Sequence, residues 1–244
     1  MTTAIIVQAR MGSTRLPGKV LMNVINMPML EFQVRRLNLV SNVDEIIIAT
    51  STNISDDKIE NLAIRINCKF YRGSEEDVLD RFYNASKLIN ADCVIRINAD
   101  CPLIDPIIIN TVLDAYLKNK NHYDYVSNIL EPGYPIGCHT EVFSFNALER
   151  AFFESKDPLE REHVTPYIYR NTNLFKILSI QPNLDMSKYR LTVDYPEDYK
   201  VISLIANYLY PTNPFFSMGE IINFLQENPD IHKINSHFTK NQTL

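Results

Sequence analysis

The chain has 244 residues, of which 45% are hydrophobic and 22% are charged, and its 24 basic and 29 acidic residues give a net charge of −5. This composition is ordinary for a globular protein and excludes a disordered or fibrous chain. The acidic balance argues against a general nucleic-acid-binding protein, which needs a basic surface. A local basic pocket for a small anion remains compatible with it.

Neither the start of the chain nor its apolar runs indicate export or membrane insertion. The longest apolar runs are far shorter than a membrane-spanning helix, and residues 1–7 lack the basic start of a signal peptide. The four cysteines, at positions 68, 93, 101 and 138, contain no CxxC pair and lie near no paired histidines. We therefore expect reduced thiols in a cytoplasmic protein without a membrane partner.

The first hundred residues alternate between two patterns. Short apolar runs rich in β-branched residues predict buried strands at 4–8, 44–50, 69–72 and 93–97. Amphipathic periodicity predicts helices at 29–40, 55–67 and 77–90. This alternation indicates right-handed βαβ units and a mostly parallel sheet. Ligands of such sheets bind beyond the carboxyl ends of the strands, and polar residues cluster there in this chain.

The regular alternation breaks between about residues 130 and 185. A loop at 132–137 precedes an alternating run at 140–145 that is typical of an exposed strand. Helices are predicted at 146–154 and 161–171, and strands at 175–181 and 189–193. We predict one domain over residues 1–244, in which 130–185 is inserted as a lid or dimerisation segment. Helices at 196–210 and 218–226 complete the core, and the polar tail from His237 is expected to be frayed.

The strongest local motif is QARMGSTRLPGK, residues 8–19, which directly follows the first predicted strand. Its glycines allow close approach of the backbone to an anion, and its basic side chains can donate charge-assisted hydrogen bonds to phosphate. Five residues separate Gly12 from Gly18, and Val20 follows Lys19, so the motif is not a Walker A loop. The pattern predicts an anion-binding loop, and the alternative is a solvated basic turn.

Two aspartates are candidates for a metal site. Asp100 follows the strand predicted at 93–97, beside the anion loop, where a carboxylate suits a hard cation such as Mg²⁺. Asp194 ends the strand predicted at 189–193. For each aspartate the alternative is a helix N-cap or a turn residue. Asp198 is expected to be a first-turn residue that favours the helix dipole. Arg15 could hold phosphate or pair with an acidic neighbour.

Six ordered motifs carry a resemblance to a known family. The six motifs are QARMGSTRLPGK (8–19), YRGSEEDVLDR (71–81), RINADCPLID (96–105), EVFSF (141–145), EREHVTPY (160–167) and TVDYPED (192–198). The chain resembles the CMP-sialate and CMP-Kdo cytidylyltransferases, and most closely their bacterial SpsF-like relatives of spore-coat polysaccharide biosynthesis. The resemblance extends to about Leu204. It implies an α/β fold, a Rossmann-like three-layer α/β/α nucleotidyltransferase with a mostly parallel sheet.

The resemblance also implies roles for particular residues. The residues implied to bind the nucleotide are Ala9, Arg10, Gly12, Ser13, Lys19, Arg72, Ser74 and Asn98. Arg10 and Lys19 would hold the triphosphate and act in catalysis with Asp100, while Asp100 and Asp194 would hold Mg²⁺. His163 and Glu141 would face the acceptor, although a lone histidine is more often structural. Arg81 is open between a phosphate contact and an ion pair with Asp77.

The implied activity is transfer of CMP from CTP to an acidic sugar, a nonulosonic acid or a Kdo-like acid, with release of pyrophosphate. The product would serve bacterial surface polysaccharide biosynthesis, and the enzyme is expected to be a homodimer. One alternative is a nucleotidyltransferase that acts on a sugar phosphate, a phosphonate or a polyol phosphate. Another is a non-catalytic nucleotide-binding protein, against which the presence of Lys19 and both carboxylates argues.

Overall fold

A computed structural model describes residues 1–241 and contains a seven-stranded sheet. Its strands are β1 (Thr3–Gln8), β4 (Glu45–Ser51), β5 (Lys69–Gly73), β6 (Cys93–Asn98), β7 (Tyr125–Ser127), β8 (Glu141–Ser144) and β9 (Ile177–Ser179). The order across the sheet is β5-β4-β1-β6-β8-β7-β9. A separate small hairpin joins β2 (Asn23–Val24) to β3 (Met27–Pro28).

Parallel pairing dominates the sheet. β1 pairs in parallel with both β4 and β6, and β5 pairs in parallel with β4. β8 runs antiparallel to its neighbours β6 and β7, whereas β9 is parallel to β7. The mostly parallel sheet predicted from the sequence is thus confirmed, and it places the carboxyl ends of β1, β4, β5 and β6 along one edge.

Helices cover both faces of the sheet. The helices are α1 (Met29–Leu37), α2 (Asp57–Arg65), α3 (Val78–Leu88), α4 (Pro106–Asn119), α5 (Phe145–Glu154), α6 (Pro158–His163), α7 (Pro166–Arg170), α8 (Pro196–Leu209), α9 (Met218–Glu227) and α10 (Pro229–Lys233). Because strand side chains alternate, Ile5 and Val7 of β1 pack with α1, α2 and α4, whereas Ala4 and Ile6 pack with α3, α5 and α7. The three-layer α/β/α fold is confirmed.

Several predicted elements differ from the structure. The run at 140–145 is not an exposed strand, because β8 lies between β6 and β7 and its first three residues are buried. The strand predicted at 189–193 is wrong, since it reduces to one isolated bridge between Ile136 and Arg190. The pattern at 106–119 and 125–127 carried no prediction, yet it forms α4 and β7. The Asp105 N-cap and Pro106 at the first helical position mark the start of α4 in the sequence.

The helix predicted at 161–171 is wrong, because the chain forms two short helices there. α6 ends at His163, and Val164 has a φ of 72°, a left-handed conformation that a β-branched residue rarely adopts. The Thr165 amide donates to the His163 carbonyl at 2.9 Å, and Pro166 then opens α7. Since residues before proline disfavour helical geometry, Thr165-Pro166 is a break that the sequence does carry.

The C-terminal segment packs onto the fold rather than fraying. Residues Ser236–Asn241 form a 3-10 helix, and the Phe238 ring stacks on the Tyr195 ring with centroids 4.2 Å apart. The frayed tail predicted from His237 is therefore wrong as far as Asn241, and residues 242–244 lie outside the described residues. Within residues 1–241 no helix has the length and apolar character needed to cross a membrane.

Candidate active site

The anion loop is fixed to the carboxyl end of β4. The Ala9 amide donates to the Ala49 carbonyl at 3.1 Å, and the Met11 amide donates to Asp56 Oδ1 at 2.7 Å. Asp56 is buried, and its other oxygen accepts from the Ser51 amide at 3.1 Å. A carboxylate that carries these bonds holds the loop and the strand end together. Asp56 lies 45 positions after Met11 in the chain, and its contact with the loop was not predicted from the sequence.

Gly18 turns the end of the loop into the site. Its φ of 72° is left-handed, a conformation that glycine adopts without the steric cost of a Cβ atom. Gly18 precedes the 3-10 helix Lys19–Leu21, and the Lys19 side chain is buried there. Gly12 has a different constraint, because a Cβ atom at this position would lie 2.9 Å from Glu75 Oε1.

Lys19 lies between the two predicted metal ligands. Its Nζ atom is 2.9 Å from Asp100 Oδ2, 2.9 Å from Asp194 Oδ1 and 2.6 Å from the Val193 carbonyl oxygen. Burial lowers the pKa of Lys19, but the two carboxylates outweigh it, so the pKa of Lys19 is raised above its ordinary value. An ammonium has three N–H groups, and these three acceptors use them all.

The Asp194 carboxylate forms ion pairs with three cationic side chains. In addition to Lys19, its Oδ1 atom lies 3.3 Å from Arg15 Nη2, and its Oδ2 atom lies 2.8 Å from Arg190 Nη2. Burial raises the pKa of Asp194, but the three cations outweigh burial and hold it below its usual range. The acidic neighbour that the sequence left open for Arg15 is therefore Asp194, and Asp194 is ionised at neutral pH.

The other residues implied for the triphosphate lie on the rim of the site. Arg10 is exposed, and its guanidinium is 3.9 Å from Glu162 on α6, a weak and solvated ion pair. The Ser13 hydroxyl accepts from the Leu16 amide at 3.3 Å, which closes a turn within the loop. Arg10 is thus near the helices of the 130–185 segment.

The residues implied for the base and ribose are partly engaged elsewhere. Arg72 Nη1 contacts Asp57 at 2.7 Å and Glu60 at 2.5 Å, both on α2. The Ser74 hydroxyl accepts from the Asp77 amide at 3.1 Å. Asn98 ends β6 opposite Gln8, and its side-chain oxygen is buried without a hydrogen bond from the described residues. Nucleotide contacts by these residues stay predictions.

Arg81 does not form the ion pair with Asp77 that the sequence left open, and its phosphate contact stays a prediction. It is buried on α3, and its Nη1 atom donates to the Ala49 carbonyl at 3.3 Å. Burial lowers the pKa of Arg81 to about 10. Asp77 instead caps α3 and pairs with Arg161 at 2.7 Å, which brings α6 against this edge of the sheet.

A buried ion pair joins β6 to β8 and includes Glu141, one of the two residues implied to face the acceptor. Arg96 on β6 contacts Glu141 Oε1 on β8 at 2.6 Å and donates to Gln8 Oε1 at 3.1 Å. Glu141 Oε2 is buried and has no partner among the described residues. His139 lies nearby, and burial lowers its pKa, so it is neutral at pH 7. His163 is exposed on α6.

Two further features bear on the chemistry. The Cys101 thiol beside Asp100 is buried, and burial raises its pKa well above its usual value, so it is no nucleophile. Within the described residues no group of three or more His, Cys, Asp or Glu side chains is arranged to hold a metal ion. Asp100 and Asp194 form a pair of carboxylates rather than a complete metal cage.

The parallel sheet, the loop after β1 and the paired carboxylates define a nucleotidyltransferase of the Rossmann-like class. Comparison with known proteins gives the family. Residues 4–221 match the family model described as cytidylyltransferase, so the chain belongs to that family and is a CTP-dependent nucleotidyltransferase.

Three similar proteins illustrate the relationship. The chain is 34% identical over 232 residues to the spore coat polysaccharide biosynthesis protein SpsF of Bacillus subtilis. The aligned residues are 92% of this chain and 94% of that protein. A solved cytidylyltransferase from Leptospira borgpetersenii superposes with a TM-score of 0.91 at 34% identity, over 100% of this chain and 99% of that chain. A 3-deoxy-manno-octulosonate cytidylyltransferase from Trichlorobacter lovleyi is 31% identical over 122 residues, which are 49% of this chain and 46% of that protein.

Proposed function

We propose that the chain transfers CMP from CTP to an acidic sugar, a nonulosonic acid or a Kdo-like acid, and releases pyrophosphate. The product would enter bacterial surface polysaccharide biosynthesis. The observation that carries the proposal is the convergence of Asp100 and Asp194 on the Lys19 ammonium, next to the anion loop. The ammonium of Lys19 and the two carboxylates lie together at the edge where the parallel strands have their carboxyl ends, which is where such sheets bind ligands.

The donor chemistry of this cluster fits Mg²⁺. Magnesium in nucleotide sites is bound by one or two carboxylates, and the phosphates of the substrate and water supply the remaining oxygen ligands. Asp100 and Asp194 each lie 2.9 Å from the Lys19 ammonium, so both carboxylates are close enough to contact one cation. We assign them as the residues that would hold the ion, which when bound neutralises charge on the triphosphate.

Lys19 has to exchange partners if it is to hold the triphosphate. Its three N–H groups are used by Asp100, Asp194 and the Val193 carbonyl. A phosphate oxygen can therefore bind Lys19 only in place of one of these acceptors. Lys19 supplies the positive charge between the carboxylates before the nucleotide arrives, and a phosphate contact follows when a carboxylate is released.

In the proposed reaction a hydroxyl oxygen of the sugar attacks the α-phosphorus of CTP. A new P–O bond forms to the sugar oxygen, and the hydroxyl proton passes to water. The bond from the α-phosphorus to the oxygen that bridges it to the β-phosphorus breaks, and pyrophosphate leaves with that electron pair. The protein contributes in-line positioning and charge neutralisation rather than a covalent intermediate. Arg10 and Lys19 are the side chains to which we assign that neutralisation.

The acceptor assignment draws on β6 and β8. Glu141 of β8 pairs through Oε1 with Arg96 of β6, and its unpaired Oε2 is a buried hydrogen-bond acceptor, which favours a ligand or water that presents donors, as sugar hydroxyls do. The names of two similar proteins point the same way, one to a spore coat polysaccharide and one to 3-deoxy-manno-octulosonate. These observations support a polyhydroxylated acid over a nucleic acid or a lipid.

Pyrophosphate release tests the proposal directly. The protein is incubated with Mg²⁺ and CTP, UTP, ATP or GTP, each against a panel of nonulosonic acids, Kdo and sugar phosphates. We expect release with CTP and an acidic sugar, and formation of the CMP-sugar by mass spectrometry. Release with a sugar phosphate instead would replace the acceptor class, and no release with any pair would overturn the proposed function.

A further inference from the structure

We propose that Arg190 and Asp198 are positioning residues that hold Asp194 in its active orientation, and that Asn235 of the C-terminal segment holds this pair. The inference rests on the proposed role of Asp194 in binding Mg²⁺. It concerns residues that neither the anion loop nor the strand ends supply.

The side chain of Asp194 is held through Arg190. Arg190 Nη2 donates to Asp194 Oδ2 at 2.8 Å, while the Asp194 Oδ1 atom faces Lys19. The Arg190 guanidinium also bonds both carboxylate oxygens of Asp198, from Nε at 2.8 Å and from Nη2 at 3.0 Å. A planar guanidinium fixed by one carboxylate presents its remaining donors in a defined direction.

The backbone of Asp194 is held through Asp198. The Asp198 Oδ2 atom accepts from the Asp194 amide at 2.9 Å and from the Tyr195 amide at 3.1 Å, as a capping contact at the start of α8. One carboxylate therefore fixes both the main chain of residues 194–195 and the arginine that contacts the Asp194 side chain. These contacts leave Asp194 little freedom to rotate when Lys19 moves to a phosphate.

Burial makes this arrangement rigid. Both Arg190 and Asp198 have side chains that are 0% exposed, so removal of Arg190 would leave the Asp198 carboxylate buried without this cationic partner. Asn235, which precedes the C-terminal 3-10 helix, hydrogen-bonds to both residues of the pair. Its Nδ2 atom donates to Asp198 Oδ1 at 2.9 Å and to the Arg190 carbonyl at 3.1 Å. The C-terminal segment is thus connected to the site through three consecutive contacts.

Arg190→Lys and Asp198→Asn test the proposal, with Arg36→Lys as a matched control. Arg36 is a second fully buried arginine, but its guanidinium donates to the carbonyls of Ile104 and Phe216. For Arg190→Lys and Asp198→Asn we expect kcat to fall about tenfold or more and the Mg²⁺ concentration for half-maximal rate to rise about tenfold. The KM for CTP should change less than threefold.

A second readout does not depend on turnover. Mn²⁺ binding to the enzyme with CTP, measured by electron paramagnetic resonance without an acceptor, should weaken about tenfold in the same two variants. Arg36→Lys should lower the melting temperature without changing Mn²⁺ affinity. If Arg190→Lys does not fold, Asn235→Ala keeps both charges and should show a smaller weakening in the same direction.

The outcomes separate the inference from the proposed function. Folded Arg190→Lys and Asp198→Asn variants with the metal dependence and Mn²⁺ affinity of Arg36→Lys would overturn the positioning role. An Asn235→Ala variant with unaltered Mn²⁺ affinity would do the same if the other variants are unfolded. A wild-type protein that releases no pyrophosphate from any nucleotide would instead remove the proposed function.

Discussion

At the scale of single residues, Lys19 has contacts in the structure that its residue type and its place in the loop did not predict. A lysine that ends a glycine-containing loop predicted a phosphate contact. In the structure the same lysine is an internal counter-ion, bonded to Asp100 and Asp194. Two neighbouring carboxylates need a counter-charge when no other cation is bound, and Lys19 supplies it, while its phosphate contact stays a proposal.

Asp100→Asn separates the proposed metal role from nucleotide binding. The substitution keeps the shape of the side chain and its reach to Lys19 but removes the charge that would hold the cation. We expect kcat to fall at least about 100-fold, because stabilisation of charge developing at the phosphates is lost. The dissociation constant for CTP should change less than about threefold. Steady-state kinetics and calorimetry measure the two quantities.

Asp105→Asn is the control for Asp100→Asn. Asp105 lies on the same loop but caps α4 and accepts from the Met218 amide rather than from Lys19. Its substitution should reduce stability and leave kcat within about threefold, since its contacts are structural. Equal kcat values for wild type and Asp100→Asn at saturating Mg²⁺ would contradict the metal assignment.

At the scale of elements, the segment before Asp194 depends on a close backbone approach. Ile136 and Arg190 form an isolated parallel β-bridge, in which the Leu191 amide donates to the Ile136 carbonyl at 2.7 Å. Gly137 has a φ of 101°, and a Cβ atom there would lie 2.5 Å from the Leu191 carbonyl carbon. This contact holds residues 190–193 against the 130–185 segment. It therefore helps to position Asp194, which follows directly in the chain.

Gly137→Ala should therefore be strongly destabilising. Two costs add, a left-handed backbone with a Cβ atom and a clash with main-chain atoms that cannot move aside, and we expect a loss of at least about 2 kcal/mol in the free energy of unfolding. Gly219→Ala is the matched control. Gly219 lies in α9, where a Cβ atom would lie 3.7 Å from Ser217 Oγ, so alanine should be neutral or stabilise by about 0.5 kcal/mol.

Urea unfolding of the two alanine variants measures this difference. The midpoint for Gly137→Ala should be lower than that of wild type at an unchanged slope, and the midpoint for Gly219→Ala should be equal or higher. Equal midpoints for the two variants would show that residues 136–137 are not tightly packed on residues 190–192.

At the scale of the whole molecule, the site joins distant parts of the sequence. Lys19 contacts residues that lie 81 and 175 positions later in the chain. Such a site does not exist in the unfolded chain, so a ligand that binds it stabilises the native state by mass action. Binding and global stability are therefore coupled in this protein.

This coupling predicts a nucleotide-dependent melting temperature. CTP with Mg²⁺ at 100 times its dissociation constant should add about 2.7 kcal/mol of stability. For a chain of this length, that corresponds to a rise of about 5–10 °C. Calorimetric melting with CTP, UTP, ATP and GTP measures the effect. An equal rise with all four nucleotides would contradict selective recognition of cytosine.

The sequence also reached its limits at identifiable places. Asp56 and Asn235 carry no local pattern that distinguishes them from ordinary polar residues, because Asp56 bonds to Met11 and Asn235 bonds to Asp198, 45 and 37 positions away. Arg190 lies only four and eight positions before Asp194 and Asp198, but that irregular segment has no periodicity that predicts the pairing. Asp198 was predicted as a first-turn residue that favours the helix dipole, and it does lie in the first turn of α8. Its bond to Arg190 is a tertiary contact that this prediction did not contain.

The sequence by itself determined the alternation of strands β1, β4, β5 and β6 with helices α1 to α3, and it determined the family, since hydrophobic period and ordered motifs are local properties. It also identified Lys19, Asp100 and Asp194 as the charged residues of interest. Only the tertiary structure decided that these three converge and that β8 is an inner antiparallel strand. Burial, ion pairing and backbone approach depend on which segments meet in space, and no local window of sequence contains that information.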